Sequence, residues 1–295
     1  MIIKIKHILE FCIIFLLSII FKILPLKISY AIMWMIAFFF HRILNFRRKE
    51  AINRLTYLYK ESLPYKEIEA IAWNSWRNLC FNIIEIMRYN KLSQKNIAKM
   101  GLSSSLNALK DIGQNKSVIY ATIHMGNWEL AGVSLNLIGA PIFSIARPQK
   151  NKFIDAYLNS SRGKFGLEVL SNEDGSLQKI IRRLKANKSF LILPDVRSSK
   201  ADKNVQFLNE KAKLGLGAAA FAKSCNIEII PFIIKRNGFY KHEISIMDSI
   251  FPSADIPKKE DILRMMNELM EAFSKEINAF PDQYFWYNKR WVLDP

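Results

Sequence analysis

Cysteine is scarce in this sequence: Cys12, Cys80 and Cys225 are scattered, with no CxxC and no even pairing. That argues against a disulfide scaffold and a thiolate zinc site, and it suits a reducing compartment. The four histidines, His7, His41, His124 and His242, are too dispersed to mark a metal cluster, so no metal is expected. No GxSxG elbow occurs and no cysteine lies near His124, so an enzyme-borne nucleophile has no candidate. A P-loop lysine motif and a GxGxxG turn after a strand are also missing, which leaves nucleotide chemistry and a nucleotide cofactor without support. Acidic residues are few, 26 Asp and Glu against 43 Lys and Arg, for a formal net charge of +17. The excess draws the protein toward an anionic surface or partner, although a merely basic soluble surface satisfies the same count. No uninterrupted hydrophobic run reaches the roughly 20 residues that cross a bilayer as a helix.

What is present is substantial. The 295 residues are half hydrophobic, enough to bury a large core. Two apolar runs open the chain. Phe11 to Phe21 reads FCIIFLLSIIF between Lys4 and Lys6 on one side and Lys22 and Lys27 on the other. Tyr30 to Phe40 reads YAIMWMIAFFF and ends against His41, Arg42, Arg47, Arg48 and Lys49. A cleaved signal peptide would want a small-x-small site after Leu24, and none follows. Core helices remain one reading. The bracketing cations and crowded aromatics favour the other, in which residues 1–45 form a hydrophobic helical anchor whose lysines and arginines meet an anionic membrane. Spanning and interfacial geometries both stay open, with His7 and His41 at the interface.

From residue 64 to 90, Ile68, Ile71, Ala72, Trp76, Leu79 and Ile83 recur at helical spacing. Beyond residue 100, short β-rich runs alternate with amphipathic helices. The expected strands are 117–124, 141–147, 189–195, 227–234 and 242–248. The expected helices lie near 128–137, 153–163, 176–186, 216–223 and 259–279. Continuous apolar strands separated by helices predict an α/β fold with a largely parallel central sheet flanked by helices. Reactive groups in such folds gather at the carboxyl ends of strands, where His124 and Asp195 both fall.

His124 closes an apolar strand and opens the segment His-Met-Gly-Asn-Trp-Glu. Its unperturbed pKa lies near neutrality, where a general base works well. Within one regular helix, His124 and Glu129 would point about 140° apart. They meet only as strand end, turn and first helical turn, and Gly126 permits such a turn. Glu129 is then expected to accept a hydrogen bond from the imidazole and fix its tautomer. A histidine satisfied by backbone groups beside a solvated glutamate is the plainer alternative. With no nucleophile on the chain, a base of this kind suits transfer of an acyl group to a substrate hydroxyl. The tail residues Tyr284, Phe285, Trp286, Tyr287, Lys289, Arg290 and Trp291 would suit stacking on nucleic acid. No RNA- or DNA-binding motif accompanies them, so packing over the sheet is expected and nucleic acid is not.

The segment IHMGNWE resembles the His-x4-acid motif of glycerolipid-type acyltransferases. In its HxGNWE form it is similar to the late, or secondary, acyltransferases of lipid A biosynthesis. Further pieces occur in that family's order: RRKEAINRL near Arg47, ARPQKN near Arg147, SRGKFG at Arg162, LPD ending at Asp195, and DQYFWYNKRW near the C-terminus. The resemblance covers nearly the whole chain. It implies a glycerolipid-acyltransferase-like domain over residues 46–295 behind the anchor, on the cytoplasmic face of an inner membrane. It also implies transfer of a fatty acyl chain from acyl-acyl carrier protein to the hydroxyl of a 3-hydroxyacyl chain on a phosphorylated glycolipid, a lipid A precursor. His124 and Glu129 match the catalytic pair, and Arg162 and Asp195 match the other polar site positions. Arg162 could bind an acceptor phosphate or polarise a carbonyl, or simply lie on a surface helix. Asp195 could order Arg162, bind the acceptor hydroxyl or cap a turn, and Arg147 is a further phosphate ligand. The chain departs from the pattern at VRSSKADK and at FLNEKAKLGLGAAAFAK. Another glycolipid acceptor and a membrane-bound binding protein without catalysis are the competing functions.

Overall fold

The computed structural model describes residues 2–171, 176–202 and 204–293. The side chain of Lys4, one of the cations flanking the first apolar run, lies outside the described residues. Helix α1 (Ile2–Ile23) is stopped by Pro25, which stands at the N-cap of α2 (Leu26–Phe38). Proline has no N–H to continue the first helix and is tolerated where the second begins. Helix α2 runs on through a π-helical turn, Phe39–Ile43. The second apolar run thereby becomes an 18-residue helical stretch, Leu26–Ile43, long and apolar enough to cross a membrane, with only 28% of it buried. The outer faces of both helices expose Leu9, Ile13, Leu16, Ile23, Trp34 and Met35. Their inner faces join the body. Arg88 donates to the carbonyls of Phe21 and, at 2.8 Å, Leu24, satisfying acceptors that the end of α1 leaves free. His41 departs from the interfacial place expected for it. It is fully buried, with Nε2 2.8 Å from the Tyr287 hydroxyl.

Helices α3 (Arg48–Tyr59), α4 (Tyr65–Met87), α5 (Gln94–Lys99) and α6 (Ser103–Ile112) lead to the sheet. Of the helical stripe expected in α4, Ile68, Ala72 and Trp76 are buried and Ile71 and Leu79 partly buried, whereas Ile83 is exposed and its neighbour Ile84 turns inward. Strand β1 (Ile119–Ala121) then alternates with α7 (Trp128–Leu137), β2 (Ile142–Ala146), α8 (Lys152–Gly163), β3 (Glu168–Ser171), α9 (Ser176–Lys185) and β4 (Ser189–Ile192). After β5 (Arg197–Asp202) comes a small hairpin of β6 (Gln206–Phe207) and β7 (Glu210–Lys211), formed by the departing segment FLNEK. Helix α10 (Gly217–Cys225), β8 (Ile229–Arg236), β9 (His242–Ile246) and α11 (Lys258–Ala279) complete the fold.

Six strands make one sheet in the order β3-β2-β4-β1-β8-β9, parallel except for the β8–β9 pair at one edge. This is the α/β sheet that the sequence pattern predicts, with β3 as an additional edge strand. Beta geometry sends successive side chains to opposite faces, so a strand buried on both faces must be apolar throughout. Accordingly Ile119, Ala121 and Ile123 enter the core under α10, α11 and the C-terminal tail, while Val118 and Tyr120 enter the core under α6 and α7. Strand β8 divides the same way, Ile229 and Ile233 against Ile230, Phe232 and Ile234. Because β1 and β4 are parallel neighbours, in register at Ala121 and Ile192, the loops that follow them emerge side by side.

Phe190 of β4 is fully buried, stacked on Phe143 at 5.0 Å and edge-on to Phe221 at 5.6 Å. Phe190→Ala is expected to lower stability by about 3–5 kcal/mol, read as a reduced midpoint in denaturant unfolding.

Candidate active site

The loop after β1 carries His124, and the loop after β4 carries Asp195. Parallel pairing of the two strands therefore delivers both residues to the same end of the sheet. Asp195 holds the histidine twice: Oδ1 is 2.9 Å from His124 Nδ1, and Oδ2 accepts from the His124 backbone N–H at 2.9 Å. The carboxylate is 1% exposed and the imidazole 23% exposed, so the ring is anchored on one side and open on the other. Burial pulls the imidazole pKa down, but the charge and hydrogen bond of Asp195, with the charge of Glu129, outweigh it and leave the pKa above histidine's ordinary value. The buried phenol of Tyr284 faces the same carboxylate. Burial and then the Asp195 charge push its pKa far up, so it remains a neutral O–H.

The pairing expected between His124 and Glu129 is corrected by this geometry. Glu129, in the first turn of α7, binds Arg162 instead, accepting from Nε at 3.0 Å and from a terminal nitrogen at 2.5 Å. A two-pronged guanidinium–carboxylate contact is the strongest arrangement open to those groups, and it turns Glu129 toward α8. Glu129 reaches the imidazole through its field rather than through a hydrogen bond. Asp195 is corrected likewise: its partner is His124, not Arg162. Arg162 also donates to Asn159 at 3.2 Å. Arg147 stands apart, exposed just past β2 and without a hydrogen bond or ion pair among the described residues. Among the described residues no three His, Cys, Asp or Glu side chains gather as a metal site would require.

Between the two acidic contacts the chain turns sharply at Gly126, with φ +55°. A Cβ there would stand 1.7 Å from the Ile234 carbonyl oxygen, so no side chain fits. Asn127 caps α7 by accepting from the Leu130 N–H at 3.1 Å. The C-terminal tail lies along the turn, with Gly126 N–H donating to Gln283 O at 2.9 Å and Phe285 N–H donating to His124 O at 2.8 Å. Its aromatics pack inward as expected: Tyr284, Trp286, Tyr287 and Trp291 are buried, while Lys289 and Arg290 are exposed. The roles of Tyr284 and Gln283 could not be read from the sequence, because both act from the far end of the chain through contacts that no local spacing encodes.

The resemblance to known proteins runs along nearly the whole chain. The family described as bacterial lipid A biosynthesis acyltransferase matches residues 3–292. The chain belongs to this family. A lipid A biosynthesis acyltransferase of Haemophilus influenzae is 27% identical over 211 residues, which is 70% of this chain and 63% of that protein. A phosphatidylinositol mannoside acyltransferase of Mycolicibacterium smegmatis is 21% identical over 184 residues, 61% of this chain and 58% of that protein. Lipid A biosynthesis acyltransferase 2 of Shigella flexneri is 25% identical over 249 residues, 82% of this chain and 76% of that protein. The match thus spans less than two thirds of the length of the Haemophilus and Mycolicibacterium relatives.

In this acyltransferase-family site, the His124 imidazole is expected to titrate above the ordinary value of about 6.5. In Asp195→Asn the midpoint is expected to fall from its wild-type position, since burial is then opposed by the Glu129 charge alone. Nuclear magnetic resonance of ring-labelled histidine reads both.

Proposed function

We propose that the protein transfers a fatty acyl chain from acyl-acyl carrier protein to the hydroxyl of a 3-hydroxyacyl chain on a lipid A precursor, with His124 as general base. The 2.9 Å contact between His124 Nδ1 and buried Asp195 carries this reading. With Nδ1–H donating to the carboxylate, the lone pair lies on Nε2, the nitrogen left for a reactant. Nε2 takes the acceptor hydroxyl proton as the oxygen attacks the thioester carbonyl. The tetrahedral intermediate expels the carrier thiolate, which recovers the proton from the imidazolium. Asp195 stabilises that imidazolium throughout.

Glu129 supports the base by its charge and sets Arg162, which is placed to meet an anionic oxygen: the developing oxyanion or an acceptor phosphate. Arg147, exposed past β2, is a further phosphate ligand. The formal charge of +17 suits two anionic partners, the carrier protein and the phosphorylated lipid. Residues 1–45 act as the membrane anchor and 46–295 as the acyltransferase domain. A contiguous exposed apolar face on α1 and α2 supports that division, because such a patch is unfavourable in water and suited to lipid. The proposed location is the inner membrane, with the catalytic domain on its cytoplasmic face.

A second acceptor has one observation in its favour, the similarity to the mycobacterial enzyme named for phosphatidylinositol mannoside. Membrane extracts supplied with acyl-acyl carrier protein and either acceptor distinguish the two. The wild type is expected to add one acyl chain to the lipid A precursor, seen by mass spectrometry. His124→Ala is expected to lower the rate by about 10²–10⁴-fold, as loss of a general base does. Equal activity in that variant refutes the base. Acylation of the mannoside alone would reassign the acceptor, and no turnover of either would favour a binding protein without catalysis.

A further inference from the structure

Behind the catalytic turn lies a polar cluster that the reaction chemistry does not use. Its centre is Glu85 of α4, whose side chain is 1% exposed. Oε1 accepts from the Tyr30 hydroxyl of α2 and from Arg236 of β8, the latter at 2.6 Å. Oε2 accepts from the Asn127 side-chain amide at 2.5 Å and lies 3.0 Å from His242 Nε2. Arg236 reaches across to Asn82 Oδ1 at 2.7 Å, and the Asn82 amide donates to the Gly126 carbonyl at 2.6 Å. Two residues of the HMGN turn are thus held from below, Gly126 by Asn82 and Asn127 by Glu85.

Such a cluster is unusual in a core. Buried ionised groups are tolerated only when paired and hydrogen-bonded. Burial works against the Glu85 charge, but Arg236 and His242 hold its carboxyl well below the usual carboxylate range. Each carboxylate oxygen has two partners, and the four come from α2, β8, β9 and the catalytic turn. An apolar side chain could pack these elements. It could not dictate which way the Asn127 amide faces, and the orientation of that amide leaves its oxygen free to cap α7.

We propose that Glu85 is a positioning residue for the reaction: from inside the core it sets the Gly126–Asn127 turn, and through it the aim of the His124 imidazole, without touching a substrate. Asn82 is the second arm of the same device. The inference rests on the acyl-transfer reading for its kinetic consequence, and on the geometry alone for its effect on the imidazole.

The decisive experiment reverses one hydrogen bond. Glu85→Gln places two amides face to face at Asn127, and Asn127→Asp places two carboxylates there. The double variant restores a donor and an acceptor with their directions exchanged, and the carboxylate introduced by Asn127→Asp would still accept from the Leu130 N–H. Each single change is expected to lower kcat on the order of 10²-fold with KM nearly unchanged, the scale of a misplaced catalytic group. The double variant is expected to recover most of that loss. Asn82→Ala guards against misfolding, since it leaves the Glu85–Arg236 pair whole. Folded by circular dichroism, it is expected to show the same lowered kcat and, with no charge added or removed, a lowered His124 titration midpoint. A folded Asn82→Ala with wild-type kcat and midpoint, or a double variant no better than its worse parent, overturns the proposal. A wild type that acylates neither acceptor, while the midpoint in Asn82→Ala still falls as described, removes the acyl-transfer reading and leaves the positioning role standing.

Discussion

The space between the HMGN turn and the backbone of β8 governs this site. A glycine hydrogen fits against the Ile234 carbonyl and a methyl does not, so that contact, rather than the backbone angle alone, reserves the turn at Gly126 for glycine. That reversal lets a strand end at His124 and a helix begin within a few residues. His124 stays at the sheet's rim, Asn127 caps α7, and Glu129 enters the first helical turn facing α8.

Around this constraint the charges sort into two pairs with distinct tasks. The His124–Asp195 pair joins the loops of neighbouring parallel strands, so its geometry is inherited from the sheet's register. The Glu129–Arg162 pair joins two helices, its side chains 24% and 15% exposed, against 23% for His124 and 1% for Asp195. Charges in water are screened, whereas buried ones are not. The first pair fixes the orientation of the imidazole, and the second ties α7 to α8.

Much of this is legible in the chain. Continuous apolar runs predict β1, β2, β4, β8 and β9, and the helical stripe predicts α4. β3 escapes because Glu168 and Ser171 bound an edge strand whose burial is partial. His124, Glu129, Arg162 and Asp195 all stand out in the sequence, and all four lie in the site, but their pairing is exchanged. Sequence proximity favours Glu129 as the partner of His124, whereas strand adjacency, which no local spacing displays, supplies Asp195. His41 is misplaced for a related reason. Its neighbours are apolar and basic like an interface, yet its partner is Tyr287 from the opposite end of the chain. The Glu85 cluster has no local signal at all.

The tail's grip on the turn has a consequence for biosynthesis. Residues 283–285 clasp the backbone of His124 and Gly126, yet they leave the ribosome long after the strand they complete. A nascent chain can form most of the sheet, and pair His124 with Asp195, while the backbone of the turn still lacks this clasp. The turn therefore reaches its final form late in translation, and an interrupted polypeptide would carry it half-built.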